Sequence, residues 1–122
     1  MANKLIFKNN YKRGLIAEAV AKFWLQLKGY CILERRYRNH HGEIDLIVRK
    51  GQRLIAVEIK LRQTLRLAAE SISLQQRLRI ERTLMAYLSR LSWQPTEIRF
   101  DVILLTPSTL PKHLKNAWQT RN

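Results

Sequence analysis

Alternating apolar and polar residues mark two neighbouring strands in the middle of the chain. Residues 42–48 and 54–61 are rich in branched aliphatic side chains, which favour strands. The segment Lys50-Gly51-Gln52-Arg53 between them is typical of a tight turn. The pattern therefore predicts a β-hairpin, whether the loop has two residues at Gly51 and Gln52 or four residues around them.

The register of this hairpin places charged side chains opposite one another. Asp45 is predicted to lie across from Glu58, and Glu43 across from Lys60. Because side chains alternate between the two faces of a sheet, we expect all four on one face. The other face is then entirely apolar and carries Ile44, Leu46, Val48, Ile55, Val57, Ile59 and Leu61.

Helical and strand periodicities predict the elements on either side of the hairpin. Residues 10–28 form a predicted helix, and residues 30–37 a strand that leads into a turn at residues 39–42. Residues 63–70 show no strong pattern and are expected to be a connection. A second helix is predicted over residues 72–91.

Each predicted helix carries apolar residues at helical spacing, which we expect to face the core. In the first helix they are Leu15, Ile16, Ala19, Val20, Phe23, Trp24 and Leu27. In the second helix they are Leu74, Leu78, Met85, Leu88 and Leu91.

The pattern of residues in the C-terminal part of the chain predicts one more strand, followed by a tail. Residues 99–105 alternate as a strand that ends before Pro107. Asp101 lies among its apolar residues, so we expect it to be buried and to bond a backbone group. The tail of residues 108–122 predicts a short helix, with Leu110, Leu114 and Trp118 four residues apart.

The order helix, three strands, helix, strand indicates an α/β fold. The short turns make the first three strands antiparallel, and the helical crossover makes the fourth parallel to its neighbour. We therefore expect a mixed four-stranded sheet flanked by helices. The length of 122 residues fits one domain, with its core at about residues 11–106 and a C-terminal tail at residues 107–122.

The charge of the chain points to a polyanionic partner. The sequence has 23 Lys and Arg against nine acidic residues and a formal net charge of +14. The positive electrostatic field of such a charge favours nucleic acid as the partner. A role of the charge in solubility is the simpler alternative. The single Cys31 excludes an internal disulfide and is expected to be a small buried side chain. No apolar run has the length of a signal peptide or a membrane span, so we expect no membrane partner and a cytoplasmic location.

Two carboxylates facing each other across a hairpin repel unless they share a proton or hold a cation. Asp45 and Glu58 are the predicted pair, and Lys60 adds a positive charge beside them. Oxygen ligands favour Mg²⁺ or Mn²⁺ over zinc. The alternative is an ordinary solvated hairpin face in which Glu43 and Lys60 form a surface ion pair.

Asp45 followed by Glu58-Ile59-Lys60 resembles the signature of the PD-(D/E)XK nuclease superfamily. The chain resembles one of its families more closely, the YraN family of small bacterial endonuclease-like proteins. Four segments within residues 11–118 carry this resemblance: Gly14–Glu18, Gly42–Ile47, Val57–Lys60 and Arg99–Val102. Two positions depart from the superfamily pattern, since Ile44 replaces the proline and Gln76 stands where a lysine is usual.

The resemblance implies a restriction-endonuclease-like core and a Mg²⁺-dependent or Mn²⁺-dependent endonuclease. It implies that Asp45, Glu58 and the Ile59 backbone carbonyl ligate the metal, joined by Glu18 from the first helix. It also implies that Lys60 orients or deprotonates the attacking water and stabilises developing charge, so that Glu18, Asp45, Glu58 and Lys60 form the catalytic set. Glu43 and Gln76 are expected in supporting positions around it.

Basic residues in two regions are candidate phosphate contacts. They are Arg35, Arg36, Arg38, Arg77 and Arg79, and His40 and His41 add a weaker candidate in the turn between them. Adjacent histidines in an extended chain point in opposite directions, so a simple turn role is the alternative for them. We expect DNA as the substrate rather than RNA, including branched or structured forms, and a homodimer is compatible with cutting both strands. A catalytically silent binding protein on the same fold and an RNA-processing factor are the alternatives.

Overall fold

A computed structural model describes residues 10–120 of the protein as a mixed sheet flanked by helices. The predicted domain also includes residues 1–9 and 121–122, which lie outside the described residues. The elements in chain order are α1 (Asn10–Leu27), β1 (Cys31–Asn39), β2 (Gly42–Lys50), β3 (Arg53–Leu61), α2 (Leu65–Glu70), α3 (Leu74–Leu88), β4 (Glu97–Leu105) and β5 (Lys112–Leu114).

Within residues 10–120 the sheet has five strands in the order β1-β2-β3-β4-β5. β1, β2 and β3 are antiparallel neighbours, and β4 lies parallel to β3, as the sequence predicts. The fifth strand corrects the prediction, because residues 112–114 pair antiparallel with β4 where a short helix was expected. Pro107 and Pro111, which precede this segment, disfavour a helix. Leu110, which was expected on the buried face of that helix, is largely exposed, with 76% of its surface in solvent.

Residues 63–70 are not a bare connection, because they contain the short helix α2. The Thr64 hydroxyl accepts a hydrogen bond of 3.1 Å from the Leu67 amide and caps the helix. Ala68 is the one residue of this helix that is buried. A helix of six residues is too short to show an apolar period, so only its cap could have signalled it in the sequence.

Helix α1 has the predicted extent but packs through a different face. Its buried residues are Ala17, Ala21 and Leu25, which contact the sheet beside residues such as Leu46 and Val57. Five large apolar residues of the predicted stripe are exposed: Leu15, Ile16, Val20, Phe23 and Leu27. Small alanines let the helix approach the sheet closely, and the larger side chains are left outside. No helix within residues 10–120 is long and apolar enough to cross a bilayer.

Helix α3 is also rotated relative to the prediction. Ile80, Thr83 and Leu84 are its buried residues, whereas Leu74, Leu78 and Met85 are exposed. Leu88 and Leu91 are partly buried against the core, as predicted. The helix passes close to the β1–β2 turn, where a Cβ atom on Gly42 would lie 3.1 Å from Thr83 Oγ1. Glycine at residue 42 therefore lets the helix and the turn come together.

Cys31 and Asp101 were both expected to be buried, and they differ in the structure. Cys31 is exposed at the start of β1, so the expectation that it is buried was wrong. Asp101 is fully buried and its Oδ1 accepts a 2.9 Å hydrogen bond from the Asn116 amide, which confirms its predicted structural role. Arg99 and His113 also donate to Asp101, at 2.8 Å and 2.7 Å. This polar cluster ties the tail to β4.

Candidate functional site

The β2–β3 ladder ends where the acidic residues begin. The predicted register is confirmed from the pair Lys50–Arg53 to the pair Leu46–Val57. β3 continues beyond this point by pairing with β4 as far as Leu61–Leu105. β2 and β3 therefore separate, and we call this place, with Asp45, Glu58 and the Ile59 backbone, the β2–β3 fork.

Asp45 and Glu58 meet at the fork, and they carry its chemistry. The Ile59 amide donates a 2.8 Å hydrogen bond to Asp45 Oδ2, which holds that carboxylate between the strands. The carboxyl groups of Asp45 and Glu58 are also within hydrogen-bonding reach of each other. Only 7% of the surface of Glu58 is exposed. A buried acid and a half-buried acid thus lie together at the fork.

Burial and the neighbouring Asp45 together raise the pKa of Glu58 from its ordinary 4.5 to about 10. Burial is the largest cause. A hydrogen bond that protonated Glu58 donates to Asp45 and the negative charge of Asp45 act in the same direction, while Lys60 and the Ile59 amide act against them. In the absence of a cation the pair therefore holds a proton at neutral pH. This behaviour is typical of carboxylates that are placed close enough to share one cation.

Gln76, at the start of α3, connects Glu58 with Lys60. Its Nε2 donates to Glu58 Oε2 at 3.3 Å, and its Oε1 accepts from Lys60 Nζ at 3.2 Å. The neutral amide is suited to this position because it can donate to the acid and accept from the ammonium group at the same time. Glu43 does not face Lys60 as predicted but pairs with Arg38 at 3.2 Å.

The four predicted residues do not all share one face of the hairpin. Glu58 and Lys60 contact Gln76 on the α3 side, whereas Asp45 and Glu43 line a cleft beneath α1. The alternation of faces fails in β2, where Ile44 and Ile47 pack on the α3 side and Leu46 and Val48 on the α1 side. The predicted apolar face was therefore wrong at Ile44. The break lies at Asp45, where the ladder stops constraining the strand.

Glu18 of α1 is held by two arginines of β1. Arg36 Nε lies 2.6 Å from Glu18 Oε2, and Arg35 Nε lies 4.0 Å from Glu18 Oε1. The side chain of Glu18 is only 12% exposed, so these charges act through little water. Successive side chains of a regular strand could not both reach Glu18. They do so here because Arg36 has the left-handed φ of 50°.

Residues of α1, β1, β2 and β3 line a cleft of about 480 Å³ between α1 and the fork. Its polar wall comprises Arg13, Glu18, Arg36, Glu43, Asp45 and Arg62. The sequence analysis did not include Arg13 and Arg62, although Arg13 lies on the same helix as Glu18 and Arg62 follows Lys60 closely. Acids and arginines lining one cleft suit a ligand that brings both a cation and phosphate groups.

The donor set fits a hard divalent cation. Two adjacent carboxylates with space for water are a common arrangement for Mg²⁺ in proteins. Within residues 10–120, no three or more His, Cys, Asp or Glu side chains converge on one point. Glu18 is turned toward Arg36 and does not join Asp45 and Glu58. Its role as a ligand, like that of the Ile59 carbonyl, stays a prediction from the family resemblance.

The other candidate phosphate contacts are distributed unevenly. Arg35, Arg38 and Arg79 are exposed, whereas Arg77 is half-buried with its guanidinium 5.6 Å from the centre of the Trp118 ring. Arg77 is therefore held by the tail rather than presented to solvent. His40 and His41 are exposed, and their rings lie 4.0 Å apart. The expectation that they point in opposite directions was wrong, because they lie in a turn and not in an extended strand.

Comparison with known proteins gives the family. The profile of the uncharacterised protein family UPF0102 matches residues 17–105, which include Glu18, the whole fork and Asp101. The chain belongs to the UPF0102 family. This is the YraN family that the sequence motifs resemble, so that prediction is confirmed.

Curated UPF0102 proteins resemble the chain over most of its length. The UPF0102 protein of Parvibaculum lavamentivorans is 42% identical over 110 residues, which cover 89% of this chain and 83% of the relative. The UPF0102 protein of Paramagnetospirillum magneticum is 42% identical over 113 residues, with 88% of each chain covered. The protein of Mesorhizobium japonicum is also 42% identical, over 92% of this chain and 90% of the relative.

Proposed function

We propose that this UPF0102 protein is a metal-dependent nuclease that hydrolyses phosphodiester bonds in DNA. The observation that carries the proposal is the contact between Asp45 and Glu58 at the β2–β3 fork, with Lys60 connected to it through Gln76. A protein that only bound a polyanion would gain nothing from a buried acid and a half-buried acid facing its ligand. Two such acids suit a site in which a cation lies between protein and phosphate.

The residues of the fork have separate roles in this proposal. Asp45 and Glu58 hold Mg²⁺ or Mn²⁺, and the Ile59 amide fixes Asp45 in the orientation for doing so. When bound, the cation supplies positive charge to the phosphate and makes a neighbouring water more acidic. Lys60, held by Gln76, orients this water and stabilises negative charge as the phosphorus is attacked. Gln76 therefore acts as a positioning residue.

The arginines around the cleft bind the strand in this proposal. Arg13, Arg36 and Arg62 line the cleft, and Arg35 and Arg38 are exposed on the adjoining strand. Guanidinium groups pair readily with phosphate oxygens, so binding should weaken steeply with salt. The contacts recognise the backbone rather than the bases, which favours recognition by shape, as in branched or structured DNA.

A nucleic-acid-binding role without cleavage is the second candidate. The pairing of Glu18 with Arg36 favours it, because this pairing leaves two acids rather than three at the fork. An RNA substrate would use the same contacts to phosphate.

A cleavage assay tests these alternatives. Linear, branched and single-stranded DNA and matching RNAs are incubated with Mg²⁺, Mn²⁺ or EDTA. We expect metal-dependent cutting by the wild type and by the Glu97→Ala control, whose carboxylate lies in an exposed pair with Arg53. Asp45→Ala and Lys60→Ala should abolish cutting while binding persists. Equal cutting by Asp45→Ala would discredit the site, and binding of DNA without cutting by any protein would favour the second candidate.

A further inference from the structure

Arg36 occupies a backbone conformation that is unfavourable for a side chain of its type. Its φ of 50° lies in the left-handed region, which glycine and asparagine tolerate best. The neighbouring β1–β2 pairs are Arg35–Leu46 and Tyr37–Ile44, so Arg36 lies across from Asp45. Unfavourable backbone geometry beside a charged cleft is often retained for a function.

The contact that Arg36 makes with Glu18 is short. Its Nε donates to Glu18 Oε2 at 2.6 Å, while Arg35 lies 4.0 Å from the other oxygen. Arg36, Glu18 and Asp45 all line the same cleft. Glu18 can therefore be held by the Arg36 guanidinium or turn toward a cation at the fork, but the same carboxylate oxygen cannot serve both fully.

We propose that Arg36 couples the binding of nucleic acid to the binding of the cation, by holding Glu18 until a phosphate group replaces it as the partner of the Arg36 guanidinium. This inference rests on the proposed function. The phosphate and the Glu18 carboxylate compete for the same guanidinium, and both make charge-assisted pairs with it. Once released, Glu18 can turn toward the cation at the fork, as the family resemblance predicts. The cation then binds well only when a strand is present.

The first experiment measures Mn²⁺ binding to the free protein by electron paramagnetic resonance. We expect Arg36→Ala to bind Mn²⁺ about tenfold more tightly than the wild type, the size of a typical coupling between two sites. Arg36→Gly should behave in the same way, and it also removes the unfavourable φ, so a folding defect cannot account for both results. The matched control Arg35→Ala removes an equal charge near Glu18 without the short contact and should have a smaller effect.

A double-mutant cycle separates this role from general electrostatics. In a Glu18→Gln background, Arg36→Ala should leave Mn²⁺ affinity nearly unchanged, because the contact has already been lost. Coupled binding also means that Ca²⁺ in place of EDTA should raise the affinity of the wild type for a short duplex more than that of Arg36→Ala.

The outcomes distinguish the inference from the function on which it rests. Equal gains in Mn²⁺ affinity for Arg35→Ala and Arg36→Ala, or a full gain in the Glu18→Gln background, would overturn the coupling role. Metal-dependent cutting that requires Asp45 would leave the nuclease proposal intact in that case. Failure of every protein to bind Mn²⁺, with or without duplex, would overturn both.

Discussion

The Ile59 amide donates its hydrogen bond to the side chain of Asp45, 2.8 Å away, at the place where the β2–β3 ladder stops. A backbone group that would otherwise be unpaired thus fixes the orientation of an acid. The neighbouring residue Glu58 is buried beside the same acid. The end of the ladder and the position of the site therefore have one structural cause.

The first prediction concerns pH in the absence of metal. Because the pKa of folded Glu58 is raised from 4.5 to about 10, the folded protein keeps a proton that the unfolded chain releases between these values. The contribution of Glu58 to stability is thus complete below pH 4.5 and is lost as the pH rises toward 10. Urea unfolding in EDTA should show the wild type losing stability across this range.

Glu58→Gln should flatten this pH dependence and be more stable than the wild type at alkaline pH. Asp45→Asn should also stabilise the metal-free protein, because it removes the repulsion between the acids. Glu97→Gln is the matched control, since the Glu97 side chain is 48% exposed and should leave the profile unchanged. Parallel profiles for the wild type and Glu58→Gln would show that the acids are not crowded.

The second prediction concerns the amide that positions Lys60. Gln76→Leu has a similar volume but can neither accept from Lys60 Nζ nor donate to Glu58. We expect the cleavage rate to fall about tenfold, as is common when a group that orients a metal site is lost. Duplex binding measured by fluorescence anisotropy should change little. The control Gln75→Leu alters an exposed neighbour, and an equal loss of rate there would argue against a specific role of Gln76.

The third prediction concerns the polar cluster around Asp101. Burial acts to raise its pKa, but hydrogen bonds from His113 and Arg99 hold the pKa of Asp101 below its usual value. Asp101→Asn leaves Arg99 buried without its counterion, and should cost about 3 kcal/mol in the free energy of unfolding. The exposed Arg53–Glu97 pair provides the comparison, with a cost below about 1 kcal/mol for Glu97→Gln.

Urea denaturation at neutral pH measures both costs. The depressed pKa means that Asp101 stabilises the fold above its unfolded pKa of 3.8, and this stabilisation is lost as the pH falls through the folded value. Asp101→Asn should therefore also reduce the dependence of stability on acid. Similar losses for Asp101→Asn and Glu97→Gln would mean that burial adds nothing to the Asp101 cluster.

The fourth prediction concerns the face of α1. Phe23 is 62% exposed, so Phe23→Gln should change the free energy of unfolding by less than about 0.5 kcal/mol. Ala21 is fully buried against the sheet, and Ala21→Leu should destabilise the fold by about 2 kcal/mol through overpacking. Thermal unfolding of the two variants decides between the observed and predicted faces. Strong destabilisation by Phe23→Gln but not by Ala21→Leu would show that the predicted face of α1 packs on the sheet.

Local pattern was sufficient for the long elements and for the acids of the site. Alternation predicted the hairpin and its register, which holds as far as Leu46–Val57, and the ladder ends one residue short of Asp45 and Glu58. Local pattern was insufficient to predict which face of α1 packs on the sheet. The helix has apolar residues on several sides, and its larger side chains favoured the wrong face. Alanine carries little apolar surface, so a face formed by Ala17 and Ala21 is hard to recognise without the sheet against which it packs.

Features that depend on contacts between distant segments could not be predicted. The strand β5 has three residues, and its pairing with β4 rather than its own composition defines it. The loss of alternation at Asp45 follows from the separation of β2 and β3, and the left-handed φ of Arg36 has no sequence signal at an arginine. The contact of Arg36 with Glu18 was missed for this reason.

The order of the strands also means that β3 and β1, which both contribute residues to the cleft, differ in their resistance to local opening. Within residues 10–120, β3 is central and pairs with β4 along its whole length and with β2 as far as Val57, whereas β1 lies at an edge of the sheet. Amide hydrogens of β3 should accordingly exchange with deuterium more slowly than those of β1. The arginines of β1 can then adjust to backbones of different curvature while the carboxyl group of Glu58 keeps its place.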